Sequence, residues 1–511
     1  MQKYDDIVVG TGISGLTLAL LLGLNGKRVL LLEKGRSIGG SMARFKREGI
    51  PFDTGFHFTG GFVQGGILSE MLTVLGIAEA IRPVPIERPC DNRLVFEDSG
   101  SVYDMPTGYS EVISTLKRYF PDEENCIDTY FRRVRNVCEN TVSMNLRTIT
   151  DSAKTIDEDY TSLEEVLSGL TSNLELKAIL STYAMCYGTK PSEISFANHS
   201  RVCYPLYCSV ARVEGGGEAF ISAFRDVASV LDIETRCNTF IVKCADVSGN
   251  RVQRFVLNSG DEVCADRCTF TIHPFEILKT LPHEKLSKAF RNRIESFEPS
   301  IGIFSVYAVV EGDVESFRPA IISRVPFADV TRLLDHAYEG ANALVITKSR
   351  ETIDGKQHNV LIAFEPSFPS QVARWADSKS GRRPPDYYEY KQRCIDRIKR
   401  RVLAEFPMYR EGLRVLDAAS MLTFRDYLHS PYGCAYGIRQ KIGQFNLFGK
   451  MPLRNLYAAG QSAVLPGLVG AMLSSFIVGR SLVGKEQYRD FIERQLGGAK
   501  RVSPPSREQG L

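Results

Sequence analysis

The chain opens with three apolar runs separated by glycine and charge. The first is Asp6–Val9, followed by Gly10-Thr-Gly12-Ile-Ser-Gly15; the second is Leu16–Leu24, and the third is Arg28-Val-Leu-Leu-Leu-Glu33. Short apolar runs without alternation predict strands buried on both faces, and the longer run predicts a helix buried all round. Strand, glycine turn, helix, strand is the order in which G-x-G-x-x-G acquires a physical meaning.

Farther on the period changes. Glu214-Gly-Gly-Gly217 leads into an amphipathic helix reaching about Leu231. Alternating runs follow at Ile233–Asn238, Phe240–Asp246, Arg251–Leu257 and Glu262–Ile272, with turns at Ser248-Gly-Asn250 and Asn258-Ser-Gly-Asp261. This pattern predicts an antiparallel meander. Ile303–Val310, Ala343–Lys348 and Asn359–Phe364 read as strands, and Ser162–Leu167 and Tyr387–Phe406 as parts of helices. Near the end, Asn455-Leu-Tyr-Ala-Ala-Gly460-Gln461 is a strand closed by glycine, and Pro466-Gly467-Leu468-Val469-Gly470 leads to a small-residue helix, Met472–Val483.

A length of 511 residues exceeds what one hydrophobic core of about 250–300 residues sustains, so two or three lobes are expected, with a ligand between them. The net charge of +3 is spread without a basic block, which argues against nucleic acid as a partner. Twelve cysteines are scattered, and the pairs Cys203/Cys208 and Cys264/Cys268 have neither zinc-ribbon nor thioredoxin spacing; they read as reduced thiols of a cytoplasmic protein, with no metal site. The start, Met1-Gln-Lys-Tyr-Asp-Asp, lacks the features of a signal peptide. No apolar stretch approaches the roughly 18 residues of a membrane-spanning helix, which leaves peripheral contact with a bilayer open. The segment 497–511, rich in Gly, Pro, Ser and charge, is expected to be mobile.

The candidate chemistry begins with the glycines. Gly10 permits a tight turn, Gly12 lets the main chain approach a pyrophosphate, and Gly15 lets the helix pack close, while the amides of Ile13 and Ser14 at the helix start face the anion. Glu33, eighteen residues after Gly15 and followed by Lys34, is positioned for a ribose diol. These features specify an adenine dinucleotide without separating FAD from NAD. A second glycine pair, Gly39-Gly40-Ser41, follows within ten residues of the acid, and then Phe52-Asp53-Thr54-Gly55, as in a chain that wraps the far half of its cofactor.

Gly49-Ile-Pro-Phe-Asp-Thr-Gly-Phe-His57-Phe58 reproduces a G-x-x-F-D-T-G-x-H-[YF] signature, and Gly467–Ala471 reproduces G-L-[VM]-G-A after Gly460-Gln461. On these motifs the chain resembles the FAD-dependent phytoene desaturase, carotenoid isomerase and retinol saturase family, within the amine oxidase-like flavoproteins. The resemblance runs over roughly residues 4–485. Ser41 stands where many desaturases and amine oxidases have Arg, a departure shared by retinol saturase-like proteins. The resemblance implies an α/β fold: a Rossmann-type FAD-binding domain assembled from residues 1–75, 205–275 and 415–485, with an inserted α+β substrate-binding domain from 76–204 and 276–414. It also implies that Ile241 lies near adenine, that Gly460 and Gln461 lie near the ribityl chain, and that the amides of Leu468 and Val469 support the reduced ring.

No second dinucleotide fingerprint, nucleophile elbow or H-E-x-x-H is present. His57 falls where the family's chain passes the flavin, a substrate-contacting or proton-handling position set against a plain structural role; His199 and His273 have weaker claims. Tyr187, Tyr204 and Tyr436 are tunnel candidates that read first as core. Cys434 resembles the cysteine that tethers flavin in some amine oxidases, with a poor match in spacing, so the FAD is expected to be non-covalent. The function implied is hydride transfer to or from a C–C or C=C bond of a hydrophobic polyene or isoprenoid-like molecule, by a saturase, desaturase or isomerase working with an external electron donor or acceptor. The rivals are an amine oxidase and a non-catalytic prenyl-binding escort protein of the same fold.

Overall fold

The computed structural model describes residues 2–86, 88–312 and 317–497; most of the 497–511 segment lies outside them. In chain order its principal elements begin with β1 (Gln2–Val9), α1 (Ile13–Leu24), β2 (Val29–Leu32), β3 (Arg44–Arg47) and β4 (Ile50–Asp53). They continue with β5 (Asn92–Phe96), β6 (Val102–Asp104), α2 (Phe196–Cys208), α3 (Gly217–Ala228), β7 (Ile233–Arg236), β8 (Ile241–Ser248), β9 (Arg251–Leu257) and β10 (Glu262–Phe270). The last are β11 (Gly302–Val310), β12 (Ala320–Val325), β13 (Leu344–Ile353), β14 (Lys356–Ser367), α4 (Pro385–Glu405), β15 (Leu413–Ala419), β16 (Gly449–Lys450), β17 (Leu456–Ala458) and α5 (Gly467–Val483).

Two sheets organise the chain. The first contains a parallel core in the order β17, β10, β1, β2, β7, extended by the antiparallel strands β8 and β9. β1 and β2 are buried because α1 and α5 cover one face while Tyr4, Ile7, Leu30 and Phe270 belong to a core on the other. α1 is apolar on all sides, as a helix held between a sheet and a second helix must be. The second sheet has seven strands in the order β15, β11, β14, β13, β12, β5, β6, antiparallel throughout except for β12 with β5. The Rossmann-type α/β architecture read from the sequence is what the structure shows.

Three local expectations need adjustment. The meander comprises β8, β9 and β10, whereas Ile233–Arg236 pairs in parallel with β2; an alternating edge strand carries no mark of its partner. α5 begins at Gly467 rather than Met472, because Pro466 is compatible with a helix start and glycine is tolerated within the first turn of a buried helix. The helix read at Ser162–Leu167 spans Leu163–Leu170, with the Ser162 hydroxyl accepting from the Glu165 amide at 3.0 Å as its cap. Among the described residues, no helix is long and apolar enough to cross a membrane.

Candidate functional site

At the carboxyl ends of β1 and β2 lies a cavity of about 340 Å³. Gly10, Gly12, Ile13, Glu33, Lys34, Gly40, Ser41, Gly55, Ile241, Gln461, Gly467 and Leu468 all line it. The starts of α1 and α5, more than 450 residues apart in sequence, therefore open onto one space. Four expected residues stand behind its wall. Ser14 is buried and joins the two helices: its hydroxyl lies 2.6 Å from that of Ser475, and the Ser475 hydroxyl donates to the Ser14 carbonyl at 2.8 Å. The Gly460 amide donates to the Ser474 hydroxyl at 2.8 Å, and the Gly39 amide donates to the Thr11 carbonyl at 3.0 Å. A Cβ on Gly15 would sit 1.8 Å from the Gly10 carbonyl oxygen, so only glycine lets α1 approach the turn.

The cavity fits a dinucleotide on its own geometry. Gly12 has no heavy atom within 4 Å of where a Cβ would lie, and the same holds at Gly467, where φ is +78°; backbone amides at both helix starts are bare toward the cavity, as an anion or polar ring requires. The Glu33 carboxylate is oriented by the Thr11 amide at 3.1 Å and the Gly35 amide at 2.6 Å. Lys34 lies over the Phe240 ring and pairs with Glu276 at 3.6 Å.

The Phe52–Gly55 motif acts through an ion network. Asp53, 1% exposed, pairs with Arg44 at 3.0 Å and Arg212 at 3.0 Å, and Arg44 reaches Glu351 of β13 at 2.7 Å. A Cβ on Gly216 would collide with the Asp53 carboxylate at 2.0 Å, one on Gly217 with the Met42 carbonyl at 2.0 Å, and one on Gly39 with Ile221 of α3 at 2.2 Å. The glycine run before α3 is thus what lets that helix dock against the loop that wraps the cavity.

Residues 8–73 match the NAD(P)-binding Rossmann-like domain family. The all-trans-retinol 13,14-reductase of Macaca fascicularis is 25% identical across 96% of this chain and 87% of its own length. Prolycopene isomerase 2 of an Oncidium hybrid cultivar is 32% identical over 29% of this chain and 25% of its own. The chain is thus similar over nearly its whole length to a retinol saturase and over a shorter stretch to a carotenoid isomerase. An oxidoreductase structure from Methanosarcina mazei superimposes with a TM-score of 0.64 at 13% identity, covering 93% of this chain and 99% of that one, a likeness of fold.

In this retinol saturase relative a second cavity, of about 240 Å³, adjoins the cleft. Its floor comes from β12, β13 and β14 through Ser323, Val325, Val345 and Phe364; its roof comes from α2 and the Thr182–Cys186 turn. Gly55, Phe56, Ile303, Tyr436, Gly467 and Leu468 line both cavities, and Val469 and His57 line the second. His57 is 7% exposed and stacks on Phe364 at 4.6 Å, and its Nδ1 has no hydrogen-bond partner among the described residues. Burial lowers its pKa to about 4 against the pull of Asp53, so the ring is neutral at ordinary pH.

The remaining candidates divide. Tyr436 faces both cavities, whereas Tyr187 and Tyr204 belong to the packed core behind the roof. His199 is fully buried between the Tyr130 and Tyr187 hydroxyls, each at 2.8 Å. His273 lines the cleft, where its Nδ1 accepts from the Phe275 amide at 3.2 Å. Sequence reasoning missed Thr11, Thr271, Phe424 and His429 at the cleft and Tyr183, Met185, Val202 and Ser323 at the second cavity. The first of these, inside G-x-G-x-x-G, was within reach of the motif; the others are brought in by tertiary packing and carry no local pattern.

Proposed function

We propose that this protein is an FAD-dependent oxidoreductase of the CH–CH class, acting on a C–C or C=C bond of an apolar polyene or isoprenoid-like molecule as a saturase or desaturase, with isomerisation the nearest variant. One observation carries the reading: the dinucleotide cleft shares its inner wall with an apolar chamber. The relatives are named for retinol and prolycopene, both conjugated polyenes. Bound FAD supplies reversible two-electron chemistry at its ring, with an external donor or acceptor completing the cycle.

The chain's own residues supply binding, orientation and exclusion of water. The amides at the start of α5, including those of Leu468 and Val469, offer partial positive charge at the boundary of the two cavities. Phe56, Phe364, Val345 and Leu468 surround a long apolar molecule and keep water from the reacting bond. His57, neutral and fixed by Phe364, is assigned to substrate contact or proton acceptance at Nδ1. The FAD is held without a covalent bond: Cys434 lines the cleft, but burial pushes its thiol up to about 11, which withholds the thiolate needed for attack. An apolar substrate of this kind accords with a cytoplasmic protein that touches membrane surfaces peripherally.

An amine oxidase is less well supported, because Trp375 packs on Tyr387 and Tyr390 and lines neither cavity. The test is anaerobic: photoreduce the purified holoprotein, add polyenes one at a time, and follow the flavin absorbance. Its return with a polyene supports the proposal. Return with amines alone, or a colourless protein that takes up no FAD, would sink it in favour of the amine oxidase or the escort protein.

A further inference from the structure

The fold takes its phenylalanines out of water with two exceptions. Of 28 in the chain, Phe445 is 77% exposed and Phe448 36% exposed, and they stand three positions apart in one loop bounded by Gly443 and Gly449. The loop cannot fold back to hide them, because it is pinned from inside. The Gln444 side-chain amide donates to the Arg439 carbonyl and to Asn446 Oδ1, each at 2.8 Å, and the Asn446 side-chain amide donates to the Ala463 carbonyl at 3.4 Å. Leu447, between the two rings, is buried in the core that holds Ile7 and Phe270, and at Gly449 the chain enters β16, which pairs with β17. Two large apolar rings are thus held in water by a fixed loop, a cost that folding leaves unrelieved.

The charge around these rings is of one sign. Phe445 and Phe448 line an open depression of about 620 Å³ together with Phe290, Leu447 and Met451. Its charged lining residues are Arg293 and Lys450, both exposed, and among the described residues no Asp or Glu lines it. Neither cation has an acidic partner among the described residues; Arg293 lies over the Phe290 ring at 5.4 Å instead. Resting on the peripheral-contact reading above, we infer that the 443–449 loop docks this protein on a bilayer containing anionic lipid, with Phe445 and Phe448 entering the interfacial layer and Arg293 and Lys450 meeting lipid phosphates. Aromatic rings settle at the boundary between headgroups and acyl chains, and Lys and Arg beside them are drawn to a negative leaflet. A protein partner would need acids of its own set around an apolar socket, whereas an anionic bilayer supplies negative charge and an apolar layer in one surface. Ala463 lines the depression and Leu465 lines the apolar chamber, so docking here sets the bilayer beside the stretch of chain that walls the substrate space.

The test is co-sedimentation of the flavin-loaded full chain with vesicles of phosphatidylcholine alone and of phosphatidylcholine mixed with phosphatidylglycerol. The wild type is expected to bind the mixed vesicles at least about tenfold more tightly than the neutral ones, with the preference shrinking as salt is raised. Phe445→Ser combined with Phe448→Ser is expected to weaken binding to mixed vesicles by about tenfold or more. Arg293→Glu combined with Lys450→Glu is expected to remove the anionic preference, and both pairs are expected to keep the wild-type flavin content. Where a double variant fails to fold, Phe445→Trp decides the matter: its indole emission is expected to shift to the blue on mixed vesicles and to be quenched by lipids brominated in the acyl chain, against a constant background from buried Trp375. Equal binding of the wild type to both kinds of vesicle, or indole emission unmoved in the vesicle-bound protein, overturns the inference. Binding that survives the serine pair also overturns it and leaves peripheral contact standing through another face. Self-association that the serine pair abolishes, without vesicle binding, overturns it in favour of an interface between two copies of the chain. Failure of the wild type to bind either vesicle overturns the peripheral-contact reading and this inference together.

Discussion

The two adjoining cavities are built by different means. The dinucleotide cleft is largely a backbone structure: two helix starts, bare at Gly12 and Gly467, and a glycine pair that folds over them. The chamber beside it is mainly a side-chain structure, walled by residues from four strands, two helices, a turn and the loop that follows β4. Backbone sites tolerate little substitution because the missing Cβ is the working feature, whereas side-chain sites can be reshaped without losing the fold. Recognition of the cofactor is therefore fixed, and choice of substrate is adjustable.

Paired substitutions break this comparison most sharply. Gly15→Val would drive a side chain into the Gly10 carbonyl, beyond the roughly 1–3 kcal/mol of ordinary overpacking; the purified protein is expected to contain no stoichiometric flavin by absorbance. Ser323→Trp fills the chamber floor instead, and is expected to retain full flavin while polyene affinity falls by more than about tenfold. Flavin retained in the first or lost in the second would erase the distinction. Next in size is Asp53→Asn, which strips the shared partner from buried Arg44 and Arg212. Loss of a buried ionic partner costs about 3–5 kcal/mol, measurable by urea unfolding, and flavin release is expected with it because the loop bearing Gly39, Gly40 and Ser41 is anchored to the same hairpin.

The same contrast explains what could be read before the fold was known. Gly10, Gly12, Gly15 and Glu33 announce the cleft because their spacing is local and each has a steric or hydrogen-bonding reason. Gly216 was visible only as a loop glycine; its role against Asp53 depends on residues 163 positions apart meeting in space. Ile233–Arg236 was legible as a strand but not as a parallel partner of β2, since alternation states a strand's faces and not its neighbours. The chamber was least legible. Val202, Ser323 and Val345 are ordinary helix and strand residues until the sheet and α2 confront each other.

Acidity probes the chamber from another side. Burial lowers His57 from an ordinary 6.5 to about 4 and His199 to about 3. As pH falls below 6.5 the unfolded chain takes up protons on these imidazoles while the folded protein does not. The unfolded state then binds more protons, so stability is fully present above 6.5 and declines as pH drops toward 4. His57 alone accounts for a loss on the order of 3 kcal/mol across that window. His57→Gln is expected to flatten the decline in unfolding free energy between these pH values, with flavin content at neutral pH unchanged. An unaltered slope would show that the ring is solvated rather than enclosed.

The smallest effect concerns the seam between the helices that present the cleft. The Ser475 hydroxyl contacts both the hydroxyl and the carbonyl of Ser14, and among the described residues the Ser14 hydroxyl otherwise meets the Ser474 hydroxyl alone, at 3.5 Å. Ser475→Ala removes one buried hydroxyl and costs about 1 kcal/mol of stability, seen as a modest fall in melting temperature. Because the two helix starts form opposite walls of one cleft, a small slippage between them is expected to weaken FAD by a few-fold in an equilibrium titration. Polyene binding to the flavin-saturated variant should stay near the wild-type value, since of the chamber's walls the start of α5 alone is shared with that seam while α2 and the strands of the floor stand apart from it. A change in polyene affinity without a change in FAD affinity would mean that the chamber, and not the cleft, registers how α1 and α5 are joined.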